Sequence, residues 1–186
     1  MTADDACAVA HGTAADPDAA LAGTRLLVAV FASPVAGFLL RYGADLGYTA
    51  VLVEPDKQRA AGAAVAGLDV HEAMPGDLGD ADVVVTDHHR DELGAVLADA
   101  LAASPRWVGI MGKPNHPAPH IPALRSLGVA EDQIARVRRP IGLNTGSRRP
   151  AEIAISTLAG LVADRNARPG GFDFLSLTRV RVRSDG

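Results

Sequence analysis

Apolar positions fall along the chain in short, dense blocks separated by turn residues. Leu26 to Phe31 is continuously apolar, the pattern of a strand covered on both faces, as in a parallel sheet. Ala32-Ser33-Pro34 interrupts it. Ser33 is placed to cap a helix, and Pro34 to occupy a first turn where its missing N–H costs nothing. Val35, Phe38, Leu39, Tyr42 and Leu46 then recur at helical spacing, and Gly47 ends the segment. Thr49 to Val53 is a second strand, closed by Glu54-Pro55. Strand, helix, strand in about thirty residues is the size of one right-handed βαβ unit.

The alternation continues downstream. Residues 56–66 predict a weak alanine-rich helix, 68–70 a short strand and 82–86 a buried strand. Residues 90–103 predict a helix with Leu93, Val96, Leu97 and Leu101 on one face, followed by a strand over 107–111. A proline-rich loop after Gly112 excludes a helix in its early part. Short helices are predicted over 121–127 and 131–137, and a glycine-bounded turn or short strand over 140–146. A strong helix is predicted over 150–164, with Ile153, Ile155, Leu158, Leu161 and Val162 as its apolar face. Residues 178–183 alternate apolar and basic, which suits an edge strand or a solvated tail. Residues 1–23 are small, polar and acidic and read as a flexible tail, leaving 24–186 as one domain. The fold class that follows is α/β: a doubly wound, mostly parallel sheet in three layers.

Composition narrows the function without naming it. The 186 residues suit a single domain. A net charge of −4 argues against a general electrostatic grip on nucleic acid. Sixteen arginines against two lysines reflect coding bias more than chemistry. The single cysteine, Cys7, permits no internal disulfide and no thiolate metal cluster, which fits a reducing cytoplasm. No apolar run approaches the roughly 20 residues of a membrane helix, and the N-terminus does not have the form of a signal peptide. A cytoplasmic protein without membrane partners is expected.

Ligands of doubly wound sheets lie beyond the C-terminal strand ends, where the strand order reverses. That selects the loops at 31–36, 54–56, 86–90, 112–116 and 141–149. The first has none of the glycines of a dinucleotide-binding turn. Phe31 and Pro34 stand there instead, so ordinary NAD(P) binding is disfavoured. Glu54 ends the second strand, where an acid can bind ribose hydroxyls, though Glu-Pro is equally plain turn chemistry. Thr86-Asp87-His88-His89 could contact a ligand or act in acid–base chemistry, or could simply cap the next helix. In an extended segment His88 and His89 point opposite ways and do not share a metal, and no metal site is assigned. His116 and His120 are four apart, but Pro117 and Pro119 forbid a helix between them, and both read as solvated loop residues. Lys113, next to Gly112 and directly after a strand, can meet a phosphate. Asn144, Thr145, Gly146, Ser147 and Arg148 precede a helix starting at Pro150. They suit an anion site, or simple capping with solvated arginines.

Four segments carry a family resemblance: Trp107-Val-Gly-Ile-Met-Gly112, Leu124-Arg-Ser-Leu-Gly-Val-Ala-Glu-Asp-Gln-Ile134, Pro140-Ile-Gly-Leu-Asn-Thr-Gly146 and Pro150-Ala-Glu-Ile-Ala-Ile-Ser156. The chain resembles the C-terminal Rossmann-like domain of the XdhC/CoxI family, accessory proteins for maturation of molybdenum hydroxylases such as xanthine and carbon monoxide dehydrogenase. The resemblance covers roughly residues 24–165. It implies a non-catalytic carrier that binds the molybdenum cofactor as cargo and delivers it to the hydroxylase apo-enzyme. A pterin phosphate would lie across the strand ends, held by Ser33, Glu54, Thr86, Asp87, His88, Gly112, Lys113, Asn144, Thr145, Gly146, Ser147 and Arg148. The family's N-terminal domain, with its glycine-rich cysteine motif, has no counterpart in these residues. A separate N-terminal-domain protein or a sulfurtransferase is therefore an expected partner, alongside a possible homodimer. The alternatives are a nucleotide-binding oxidoreductase and a scaffold that has lost its ligand.

Overall fold

The computed structural model describes residues 25–113 and 117–168. The expected tail at 1–23 and the segment at 178–183 lie outside the described residues. The strands are β1 (Arg25–Val30), β2 (Tyr48–Val53), β3 (Val70–His71), β4 (Asp82–Val85), β5 (Trp107–Ile110) and β6 (Val137–Arg138). The helices are α1 (Pro34–Asp45), α2 (Lys57–Val65), α3 (Leu93–Ala102), α4 (His120–Ser126), α5 (Glu131–Ile134) and α6 (Pro150–Arg165).

The strands form one sheet in the order β3-β2-β1-β4-β5-β6, and every neighbouring pair is parallel. The chain builds outward from β1 through β2 to β3, then returns to add β4, β5 and β6 on the other side. The order therefore reverses between β1 and β4. Leu27 to Val30 of β1 lie in register with Ala50 to Val53 on one side and Asp82 to Val85 on the other.

Alternation along β1 explains the two layers of core. Leu27 and Ala29 face a layer with Leu39 and Leu40 of α1 and Ala154, Leu158 and Leu161 of α6. Val28 and Val30 face the other, with Leu93, Val96, Leu97 and Leu101 of α3 and Leu124 of α4. Both faces of the strand are apolar because both are covered. The α3 face is the one the sequence predicts.

The α6 face is not. Ile155 is 57% exposed and Val162 40% exposed, while Ala154, Ser156, Thr157, Leu158, Gly160 and Leu161 are buried. The buried face combines Leu158 and Leu161 with small or polar residues, and Ile155 and Val162 stay outside. Leu46 is likewise exposed, because it lies past the end of α1 as its C-cap. The helix expected over 131–137 stops at Ile134, and Val137 instead opens the edge strand β6 beside Val108. Residues 140–146 form a loop with no strand pairing.

The N-terminal edge of the sheet is closed by an ionic network. Asp82, at the start of β4, is fully buried and accepts from the Tyr48 hydroxyl (3.0 Å), Arg106 Nε (2.8 Å) and Arg165 Nε (2.9 Å). Arg165 also reaches Asp80, and Arg106 reaches Asp164. Burial and the Asp82 carboxylate both raise the Tyr48 phenol above its ordinary value. Among the described residues, no helix is long and apolar enough to cross a membrane.

Candidate functional site

The opposite edge, at the C-terminal ends of the strands, gathers the loops selected from sequence. After β1 the backbone turns through Phe31 in the left-handed region, with φ of 72°. This is an uncommon conformation for a residue carrying a Cβ, worth roughly 1–2 kcal/mol of strain. It sends the aromatic ring inward, where it is fully buried. Phe31 therefore does not stand in the space above the turn, contrary to the steric expectation.

The turn instead uses its polar groups internally. The Ala32 N–H donates to Glu54 Oε2 at 2.7 Å. The Ala36 N–H donates to Ser33 Oγ at 3.0 Å, so Ser33 caps α1 as expected. Ser33 Oγ also lies 2.9 Å from Thr86 Oγ1, which is 2.9 Å from the Phe31 carbonyl. Serial donation satisfies all of these: Ala36 N–H to Ser33, Ser33 O–H to Thr86, Thr86 O–H to Phe31. Ser33 and Thr86 thus pin the ends of β1 and β4 together across the point where strand order reverses.

Glu54 is fully buried at the end of β2. Its carboxylate accepts from Ala32 N, from Asp56 N at 3.0 Å and from both terminal nitrogens of Arg90, at 3.1 and 2.9 Å. It presents no open face to a ligand, so any direct contact requires Arg90 to leave.

The segment after β4 is a bend, not an extended strand. Asp87 Oδ1 accepts from His89 N at 2.9 Å and turns the chain. The His88 and His89 rings consequently lie 4.0 Å apart, side by side, where an extended backbone would separate them. His88 lines a cleft of about 410 Å³ with His89, Arg90, Pro117 and Pro119. It is hydrogen-bonded to the Met111 backbone, and its Nε2 is buried without a protein hydrogen-bond partner. Burial, then His89 and Arg139, lowers its pKa below the ordinary imidazole value.

His120 is 4% exposed rather than solvated, because it begins α4 and turns into the core. Its Nδ1 is also buried without a protein partner, and burial followed by Arg139 lowers its pKa. Arg139 packs on Gly112, where a Cβ would come within 2.8 Å of the guanidinium nitrogens. His88, His120, Arg139 and Gly112 therefore form a cluster at the ends of β4, β5 and β6. Of these four, the sequence points to His88 and Gly112 only. His120 escapes notice through the prolines beside it, and Arg139 because an arginine among many carries no signal.

Lys113 is exposed. Asn144, Thr145, Gly146 and Arg148 form an exposed loop before α6, where Gly146 has φ of 68° and open space around the position of a Cβ. Ser147 acts within the loop: its Oγ accepts from Arg149 N at 3.1 Å and is hydrogen-bonded to the Glu152 carboxylate. Glu152 also places a negative charge in the first turn of α6, where a helix favours one. Among the described residues, no group of three His, Cys, Asp or Glu side chains is placed to hold a metal.

A wholly parallel sheet in this strand order, with helices on both faces and no glycine-rich first turn, defines a Rossmann-like α/β domain. The chain belongs to the XdhC Rossmann domain family, whose model matches residues 27–161. It is 35% identical over 89 residues to the Uncharacterized protein YqeB of Escherichia coli (strain K12), a match covering 48% of this chain and 16% of that protein. It is also similar to the crystal structure of a xanthine dehydrogenase from Bacillus halodurans, with a TM-score of 0.58 and 20% identity over 77% of this chain and 43% of that one. At that identity the likeness is one of fold. The chain spans less than half the length of both proteins.

Proposed function

We propose that this domain is a non-catalytic carrier in the maturation of a molybdenum hydroxylase of the xanthine or carbon monoxide dehydrogenase type. It binds the molybdenum cofactor as cargo and passes it to the apo-enzyme. Family membership supports the pathway. The observation that carries the binding reading is the buried, unpartnered Nε2 of His88 beside Arg139 at the strand ends. A buried polar atom without a partner is costly unless a ligand satisfies it. With its other nitrogen turned to the Met111 backbone, a neutral His88 offers Nε2 as an acceptor. A pterin edge supplies N–H donors, and its phosphate seeks cations: Arg139 lies beside His88, and the exposed Lys113 and Arg148 are the further candidates. Ser33, Thr86 and Glu54 shape the crevice from within. Asp87 turns the loop that carries His88, and Asn144, Thr145 and Gly146, in the exposed loop before α6, are the proposed outer contacts.

The test is direct binding of molybdenum cofactor released from a molybdenum hydroxylase, followed by transfer to the apo-enzyme. The parent protein should bind it, and at 100 times the dissociation constant should gain about 2.7 kcal/mol of stability. His88→Ala should stay folded and bind at least about tenfold more weakly, a loss of about 1.4 kcal/mol. Absence of binding by the parent, or equal binding by the variant, would reject the assignment.

A further inference from the structure

One side chain crosses the point where strand order reverses. Arg90 leaves the loop after β4, passes over the end of β1 and reaches the end of β2. Its guanidinium lies 4.6 Å above the Phe31 ring and grips both oxygens of Glu54. Glu92 holds it from the other side, at 3.0 and 3.3 Å. The Arg90 side chain is only 9% exposed and the Glu54 side chain not at all.

In folds of this strand order the acid that ends the second strand takes the hydroxyls of a nucleotide ribose. Glu54 holds that position, but a planar arginine fork already occupies its lone pairs bidentately. The strap also lies across the path that a dinucleotide follows from one half of the sheet to the other. We propose that the Arg90–Glu54 pair is a specificity element: it closes the β1–β3 half of the crevice to adenine nucleotides and confines ligands to the β4–β6 half. The exclusion is thereby assigned to a side-chain pair rather than to the bulk of Phe31, whose ring is fully buried. It holds whatever cargo fills the other half, so it stands or falls separately from the carrier reading.

The experiment is a titration of isotope-labelled protein with adenosine and with NAD, followed at the backbone amides of Ala32, Glu54 and Asp56. The parent should show no saturable shifts. Arg90→Met keeps an apolar stem over Phe31 and frees the carboxylate. It should bind both ligands with a dissociation constant near or below about 1 mM, with shifts centred on those three amides. Because a buried carboxylate left alone endangers folding, the double variant Glu54→Gln/Arg90→Met serves as a second test. Neutralising both members of a buried pair is far better tolerated than removing one. It opens the crevice and should also bind adenosine, more weakly than the single variant. A folded variant as blind to both ligands as the parent overturns the proposal. So does a parent that binds NAD at these amides with Arg90 in place. Failure of both variants to fold would assign the pair to stability alone, which rejects it as a filter.

Discussion

Two imidazoles, His120 buried and His88 partly so, bias the folded protein against acid. His88 and His120 both have lowered pKa values, burial being the first cause and Arg139 a shared one. Below the ordinary imidazole value of 6.5 the unfolded chain binds protons that the folded protein resists. Stability therefore rises with pH through this window. The contribution is complete above 6.5 and is progressively lost as the pH falls towards the lowered folded values. The melting temperature should fall between about pH 7 and pH 5.5, before most carboxylates begin to titrate. His88→Asn and His120→Asn should each flatten that slope, whatever they do to stability at neutral pH. A parent-like slope in the double variant would show that neither histidine controls it. His120 is also where residue-level reading of the sequence fails. The flanking prolines correctly exclude a longer helix, but a helix can start after Pro119 and still carry its first residue into the core.

At the scale of elements, two glycines in α1 show how burial decides the sign of one substitution. At Gly37 no atom lies within 4 Å of the place a Cβ would take, whereas at Gly43 a Cβ would sit 2.5 Å from Leu27 Cδ2 in the core. Gly37→Ala should raise stability by about 0.5–1 kcal/mol through helix propensity alone. Gly43→Ala gains the same propensity but forces Leu27, which is fully buried, out of place. Overpacking costs about 1–3 kcal/mol, so the net effect should be destabilising. Chemical denaturation of both variants measures this, and equal effects would contradict the close approach of α1 to the sheet. The same closeness explains what the sequence pattern conveys poorly. Strands β1, β2, β4 and β5 announce themselves as apolar runs because both faces are covered. In α6 the buried face combines Leu158 and Leu161 with Ala154, Ser156, Thr157 and Gly160, and those small or polar residues carry little hydrophobic signal. The exposed Ile155 and Val162 then widen the expected face beyond the one that is buried. β6 has two residues, Val137 and Arg138, too few for any periodicity to register.

Among the described residues, the two fully buried carboxylates, Asp82 and Glu54, lie at opposite ends of the strands. At the N-terminal edge Asp82 is saturated by Tyr48, Arg106 and Arg165, which tie β2, β4, the turn before β5 and the end of α6 together. At the C-terminal edge lie polar atoms without protein partners, on His88 and His120. The position of this second edge is readable from the sequence, because strand order alone places ligands there. Its chemistry is only partly readable: Glu54 stands out by its place in the chain, and Arg90, which closes it, sits 36 residues away in sequence. The division predicts separable losses. Asp82→Ala removes the shared partner of two arginines. Arg106 and Arg165 keep Asp164 and Asp80, so the cost should sit near the lower end of the range for breaking a buried pair, about 3 kcal/mol. In a domain of this size that lowers the melting temperature by roughly 6–12 °C. On the carrier role proposed above, the fraction that remains folded should bind molybdenum cofactor like the parent, because the sheet separates the network from the strand ends. His88→Ala should do the reverse, weakening binding with little change in melting temperature at neutral pH. Measuring both quantities on both variants decides the matter. If Asp82→Ala weakens binding in its folded fraction as much as His88→Ala does, the two edges are coupled through the sheet and the division of labour does not hold.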